Sequence, residues 1–251
     1  MIDIHSHVLP GLDDGARSLQ EAVGMLQMAA AAGTTDIVAT PHASPQFAFD
    51  AETAERSIGE LQQAAGPLPR IHYGCEMHLT LENLEDALRL PARYTIAHHG
   101  YLLLEFPDTL IPKTAPQILE QLMAGGLHPV VAHPERNPLL QKRIAELQAW
   151  VEQGCLLQVT ADSLLGRFGK TAREAGAALM TRGLVHFLAS DGHDLRHRPP
   201  VLEQVRRHVE ETWGEETARR LLVENPRALL EGYPLESTLT PARKKGWFAL
   251  W

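Results

Sequence analysis

A chain of 251 residues is long enough for one large domain and falls in the size range of single α/β barrels. Hydrophobic residues make up 44% and charged residues 22%, ordinary globular proportions that exclude a disordered or fibrous chain. The net charge of −8 excludes a general nucleic-acid surface, so any phosphate site must be local, built on metal ions or a few arginines.

In chain order, Ile2 to His5 reads as a short strand, and His5 and His7, two apart, point to the same side of an extended chain. Imidazole is a common metal ligand, and the acidic turn Asp13-Asp14-Gly15 that follows offers hard oxygen ligands. Ser18 with Glu21 forms a capping box for a helix running to Ala32, closed by Gly33. Thr35 to Thr40 is apolar and β-branched enough for a buried parallel strand, which delivers Pro41-His42 at its end. A loop covers Ala43 to Phe49. Asp50 caps a second helix to Ala65, and Arg70 to Cys75 forms a third strand ending at Glu76.

The beat repeats four more times. Tyr101 to Leu104 leads to Glu105, Pro129 to Ala132 leads to His133, Cys155 to Val159 leads to Thr160, and Leu184 to Ala189 leads to Ser190-Asp191-Gly192-His193. Seven strand-helix units of this kind predict a parallel sheet covered by helices. Six of the seven strands finish in or just before a His, Asp or Glu. Any one of these is as well explained as a core histidine or a capping carboxylate. Together they favour closure into a barrel, because the C-terminal strand ends of a parallel barrel converge on one face.

Cys75 and Cys155, each in an apolar context, read as reduced buried thiols. Met1-Ile2-Asp3 lacks a secretory pattern and no run of about 18 apolar residues is present. The expectation is a cytoplasmic chain without a transmembrane segment.

Six motifs together resemble the PHP (polymerase and histidinol phosphatase) superfamily, and within it the bacterial PHP-type protein-tyrosine phosphatases of capsule and exopolysaccharide synthesis. They are Asp-Ile-His-Ser-His-Val-Leu-Pro-Gly-Leu-Asp-Asp-Gly at 3–15, Ala-Thr-Pro-His at 39–42, Gly-Cys-Glu at 74–76, Leu-Leu-Glu-Phe at 103–106, Ala-His-Pro-Glu-Arg at 132–136 and Ser-Asp-Gly-His at 190–193. The resemblance implies a distorted seven-stranded β/α barrel over residues 1–235, followed by a tail over 236–251. It also implies three divalent ions, manganese first with iron and zinc as alternatives. One would be held by His5, His7, Glu76 and Asp191, a second by Asp14, His42 and His193, and a third by Glu76, Glu105 and His133. The acid at position 14 resembles the tyrosine-phosphatase branch, where histidinol phosphatases tend to have a histidine.

Neighbouring divalent ions about 3.5–4 Å apart lower the pKa of a shared water and neutralise phosphoryl oxygens. No thiol is needed, and neither cysteine lies in a Cys-x5-Arg loop. Arg136 and Arg198 are the candidates for holding the phosphate bidentately. The alternatives are a pair between Arg136 and Glu135, and Arg198 capping a helix that starts near Pro199. Phe47 and Phe49 either flank the site or pack beneath their loop. The remaining histidines read as ordinary surface or core residues.

The tail, Arg243-Lys244-Lys245 before Trp247-Phe248 and Trp251, suits a membrane interface or a partner groove, with a frayed terminus as the other reading. The expected partner is a phosphotyrosine protein, a bacterial tyrosine kinase tail. The oligomeric state stays open. The competing functions are a small-molecule phosphomonoesterase such as a histidinol phosphatase, and a non-catalytic metal-binding scaffold.

Overall fold

The computed structural model describes residues 1–67 and 69–235. The basic and aromatic segment from Arg243 to Trp251 lies outside them. The elements that position the site are β1 (Ile2–Ser6), α1 (Leu19–Ala31), β2 (Asp36–Ala39), β3 (His42–Ala43), α2 (Ala51–Ala65), β4 (Arg70–Tyr73), β5 (Glu76–His78) and α3 (Leu81–Arg89). They continue with β6 (Tyr101–Glu105), α4 (Ala115–Ala124), β7 (His128–Ala132), α5 (Ile144–Glu152), β8 (Leu156–Thr160), α6 (Ala161–Leu164), α7 (Gly169–Thr181) and β9 (Phe187–Ala189).

The helix starts follow their caps. Ser18 Oγ accepts the Glu21 N–H at 3.2 Å and Asp50 Oδ2 accepts the Thr53 N–H at 3.0 Å. The reciprocal half of the capping box does not form, because the Glu21 carboxylate accepts from the Arg17 N–H instead, at 2.9 Å.

Two of the seven predicted strands break at the same level. The run predicted to Thr40 ends at Ala39 as β2, and β3 follows at His42–Ala43, where Ala43 was expected in a loop; the run predicted to Cys75 ends at Tyr73 as β4, and β5 follows from Glu76. Pro41 has no N–H to donate to a ladder, and Gly74 is pressed against its neighbour: a Cβ there would lie 2.6 Å from Val38 Cγ1. The chain therefore steps sideways between the two halves, and His42 and Glu76 emerge as register partners on the far side of the step.

All strand neighbours are parallel, as expected for this α/β fold. Hydrogen bonding runs in two sheets, of order β1-β2-β4 and β3-β5-β6-β7-β8-β9, and neither closes on itself among the described residues. Where the end of β1 meets the segment after β9, Ser6 bridges Gly192, the Asp191 N–H donates to the His5 carbonyl at 2.9 Å, and the His7 N–H donates to the Gly192 carbonyl at 2.8 Å.

One buried apolar cluster draws on both sheets, combining Ile2, Ile4 and Val38 with Leu103, Val130, Leu156 and Phe187. A second packs α1 and α2 on β2 and β4 through Met25, Leu26, Leu61, Ile37 and Ile71. The largest lies over the six-stranded sheet, where the fully buried Trp150 stacks on Phe106 at 5.1 Å. Each such side chain contributes about 1.5–3 kcal/mol on leaving water. The polar residues of the site sit at the edge of this apolar frame, so their positions follow from its packing. Cys75 and Cys155 are buried free thiols, as the sequence predicted.

Candidate metal centre

Strand ends deliver nearly every predicted ligand. His5 lies on β1 with His7 just beyond it, His42 opens β3, Glu76 opens β5, Glu105 closes β6, His133 follows β7, and Asp191 and His193 follow β9. Asp14 comes from the turn after β1, which folds back so that the Ala16 N–H reaches the His7 carbonyl at 3.0 Å. Only glycine fits inside that turn, since a Cβ on Gly15 would lie 2.0 Å from the His7 carbonyl oxygen. His133 and Asp191 both hold positive φ, 30° and 53°. For residues with a Cβ this is uncommon and costs on the order of 1–3 kcal/mol each, which the surrounding structure must offset to aim these two side chains.

All nine predicted ligands meet in one cluster. Four sets of ligand atoms lie within 4.8 Å of one another: His7, Asp14, His42 and His193; His5, His7 and Glu76; His5, His133 and Asp191; and His42, Glu76 and Glu105. The first contains the triad expected for one ion, and the second holds three of the four ligands expected for another, with Asp191 falling in the third set beside His5 and His133. The third expected group divides, since His133 Nε2 is 2.8 Å from Glu76 Oε1 but 3.9 Å from Glu105 Oε1. Glu76 is the hub: its Oε2 is 3.2 Å from His5 Nε2, 3.3 Å from His7 Nε2 and 3.0 Å from His42 Nδ1.

The hydrogen-bond pattern shows that this centre suits a cation. Gln158 Oε1 accepts the His133 N–H at 3.2 Å and lies 3.1 Å from His5 Nδ1. An amide oxygen only accepts, so His5 Nδ1 carries the proton. Asp13 Oδ2, 2.7 Å from His7 Nδ1, fixes that proton in the same way, and His193 Nδ1 donates to the Asp191 carbonyl at 3.0 Å. Three imidazoles are thereby held in the tautomer whose Nε2 lone pair points inward.

His5 Nε2 and His7 Nε2 then face each other at 3.2 Å. Glu76 Oε2 and His42 Nδ1, though 3.0 Å apart, are both buried and neither makes a hydrogen bond. Lone pairs and a carboxylate oxygen crowded together without hydrogen bonds are costly by themselves. They are what divalent cations require: deprotonated N and O donors with orienting partners behind them.

Charge follows the same geometry. Burial alone would raise the Glu76 and Asp191 carboxyls, but the neighbouring histidines, with the arginines beside Asp191, hold both well below the usual range. Burial would lower His42, yet Glu76 and Asp14 hold it at about 10. Asp3, fully buried under the site, is pushed up to about 6 by desolvation. Its Oδ1 accepts from the Ser190 N–H at 3.0 Å and so ties β1 to the Asp191 loop.

Arg136 and Arg198 take neither of their alternative roles. Both converge on Asp191 Oδ2, Arg198 Nη2 at 2.5 Å and Arg136 Nη1 in a close contact. Glu135 instead turns inward to accept from the Thr160 N–H at 3.0 Å and the Ser163 hydroxyl at 2.7 Å. A cavity of about 80 Å³ beside Arg136 is lined by Glu105, Phe106, His133 and Asn137. The two loop phenylalanines divide: Phe47 stacks on His42 at 5.8 Å and 12°, while Phe49 packs against Tyr73 and Tyr94.

From the sequence, Gln158 and His78, whose Nδ1 lies 3.2 Å from Glu105 Oε2, carry no assigned role, and Asp13 reads as an oxygen ligand of the acidic turn rather than as the partner of His7. Gln158 carried one available signal, as the polar residue within the apolar run Leu156-Leu157-Gln158-Val159. Asp13 carried another, as the acid that precedes Asp14 in its turn.

The family model for capsular polysaccharide synthesis, CpsB/CapC, matches residues 1–231. Tyrosine-protein phosphatase YwqE of Bacillus subtilis is 33% identical over 92% of this chain and 91% of its own length. Tyrosine-protein phosphatase CpsB of Streptococcus agalactiae is 30% identical over 93% of this chain and 99% of its own. A crystal structure from a study of YwqE of B. subtilis and CpsB of Streptococcus pneumoniae, described there as metal-dependent tyrosine phosphatases, superposes with a TM-score of 0.85 at 31% identity, covering 98% of this chain and 100% of that one.

Proposed function

The chain belongs to the CpsB/CapC family of capsular polysaccharide synthesis, and we propose on that premise that it is a metal-dependent phosphatase that hydrolyses phosphotyrosine on a protein. Its substrate is the tail of a bacterial tyrosine kinase governing capsular or exopolysaccharide synthesis. The observation that carries this reading is the convergence on Glu76 Oε2 of three imidazole nitrogens at 3.0–3.3 Å with no hydrogen bond between them and it.

Three divalent ions, manganese foremost, would be held by His5, His7, Glu76 and Asp191, by Asp14, His42 and His193, and by Glu76, Glu105 and His133. Manganese is favoured over zinc because the donors are imidazoles and carboxylates, with no thiolate among them. The two sheets act as halves of one distorted seven-stranded β/α barrel, an arrangement supported by the Ser6–Gly192 bridge and the apolar cluster they share.

When bound, divalent ions lower the pKa of water and neutralise phosphoryl oxygens. The chain's own residues supply the rest. Arg136 and Arg198 hold the phosphate with N–H groups left over from Asp191. Asp13 and Gln158 keep the His7 and His5 tautomers fixed, so neither of these two rings has to exchange its ring proton between nitrogens as substrate binds. The stacked Phe47 at the edge gives an aromatic leaving group a face to lie against. Tyrosine departs with a pKa near 10, so little help from a general acid is required.

Selectivity follows from reach. A phosphotyrosine carries its phosphate at the end of a long flat ring, whereas serine and threonine phosphates stay near the backbone. With metal-saturated enzyme in one buffer, kcat/KM for phosphotyrosine peptides should exceed that for phosphoserine peptides and for histidinol phosphate. A tenfold preference for histidinol phosphate, only about 1.4 kcal/mol of differential transition-state binding, would transfer the assignment to a small-molecule phosphomonoesterase.

A further inference from the structure

The two arginines share a partner that the chemistry above leaves unused. Phe168, half-buried in the short connection between α6 and α7, lies with its ring 4.2 Å from the guanidinium carbon of Arg136 and 5.7 Å from that of Arg198. The connection is tied down, since the Arg167 N–H donates to the Asp162 carbonyl at 2.9 Å and Arg167 Nη1 reaches both Asp162 carboxylate oxygens at 3.0 and 3.1 Å. Arg136 comes from the turn after β7 and Arg198 from the loop after β9, so a side chain from a third loop stands against both.

We propose that Phe168 is a positioning residue that presents Arg136 and Arg198 as one phosphate-binding pair; the proposal rests on the phosphatase reading and names a further residue of that site. A guanidinium over a ring spends its π face on the contact and keeps its N–H groups, which lie in its own plane, free for oxygen acceptors. Asp191 fixes one edge of each guanidinium and Phe168 fixes the face, leaving the other edges for a phosphoryl group. Arg198 Nε is buried and meets no acceptor among the described residues, so a donor stands ready there for a ligand oxygen. Both arginine side chains are only 24% exposed, which makes the ring contact stronger than its surface counterpart.

The test uses the full metal-loaded chain with Phe168→Leu, which keeps apolar bulk without a π face, and Phe168→Trp, which keeps the face. Three quantities are read: the dissociation constant for inorganic phosphate by calorimetry, kcat and KM for an aryl phosphate, and bound metal per chain. Phe168→Leu should raise both KM and the phosphate dissociation constant about tenfold, equivalent to about 1.4 kcal/mol, with kcat within about threefold and metal content unchanged. Phe168→Trp should stay within about twofold of wild type on every count. Wild-type phosphate affinity in Phe168→Leu would overturn the proposal. So would a folded, metal-replete Phe168→Trp that binds phosphate as weakly as Phe168→Leu, because bulk rather than the ring face would then be responsible. Phosphate affinity needs no turnover, so a chain inactive on phosphotyrosine whose phosphate binding still weakens in Phe168→Leu would contradict the phosphatase reading and leave this one standing.

Discussion

Glu76, His5, His7 and Asp191 expose at most 1% of their side chains, whereas Asp14 and Glu105, which complete the same cluster, expose 52% and 25%. The deep group is set by protein alone: Gln158 and Asp13 orient the two imidazoles, and Arg136 and Arg198 hold Asp191. At the rim, Glu105 has His78 behind it at 3.2 Å, whereas Asp14 is backed by less. Among the described residues the Asp14 carboxylate pairs with His42 and His193, each at 3.4 Å, and it is held far below the usual range chiefly by His193. Depth therefore separates candidate ligands whose positions the protein already fixes from candidate ligands that only a bound ion would gather. That difference can be broken or sharpened by substitution.

The largest effect is expected at the hub. Glu76→Gln keeps the shape but removes the charge that several histidines face, so activity should fall by several orders of magnitude and more than one ion should be lost. The metal-free protein should also lose about 3–5 kcal/mol, the cost of a buried charge cluster stripped of its counter-ion, read by denaturant unfolding. Undiminished metal content in this variant would show that Glu76 bridges nothing. At the rim, Asp14→Ala should remove one ion and most turnover while leaving metal-free stability within about 0.5 kcal/mol. Equal destabilisation in the two variants would erase the distinction between depth and rim.

Behind the ligands, Asp13→Asn removes the carboxylate that fixes the His7 tautomer and should weaken metal binding or activity about 10–100-fold, checked by metal titration of the chelated protein. If it matches wild type, the tautomer argument is wrong for His7.

The smallest catalytic effect, none, is expected at His186, a buried histidine outside the cluster whose Nδ1 accepts the Leu157 N–H at 3.1 Å. Burial, with Arg220 adding to it, depresses this imidazole from 6.5 to about 4. The sign is that of a group kept neutral in the fold: above pH 6.5 it carries no penalty, and between 6.5 and 4 the unfolded chain takes up a proton that the folded one refuses. Stability should fall over that window by on the order of 3 kcal/mol from this residue. His186→Asn, whose Oδ1 can accept the same N–H, should flatten the acid limb of the stability profile without changing kcat. An unchanged profile would place the acid sensitivity elsewhere.

The residues of the cluster were legible in the sequence because a parallel strand end is a position that local pattern can locate, and a His, Asp or Glu after an apolar run stands out there. Their orienting partners were not. His5 and Gln158 are 153 residues apart, and what makes Gln158 matter is which ring nitrogen it faces. The break in the third strand was hidden for a similar reason. Pro41 advertises a missing N–H, but that Gly74 must lie against Val38 is a fact about the neighbouring strand. Arg136 and Arg198 were visible as site-face cations, while the ring that spans them sits in a loop with no motif.

If the cluster around Glu76 is a working metal centre, turnover must follow its occupancy. The most direct measurement strips the protein with chelator, returns Mn²⁺ in steps, and follows bound metal per chain and phosphotyrosine hydrolysis on the same samples. The account predicts no turnover in the stripped protein and activity that rises with occupancy towards three ions. Stripped protein that hydrolyses phosphotyrosine as fast as the reloaded form would contradict it.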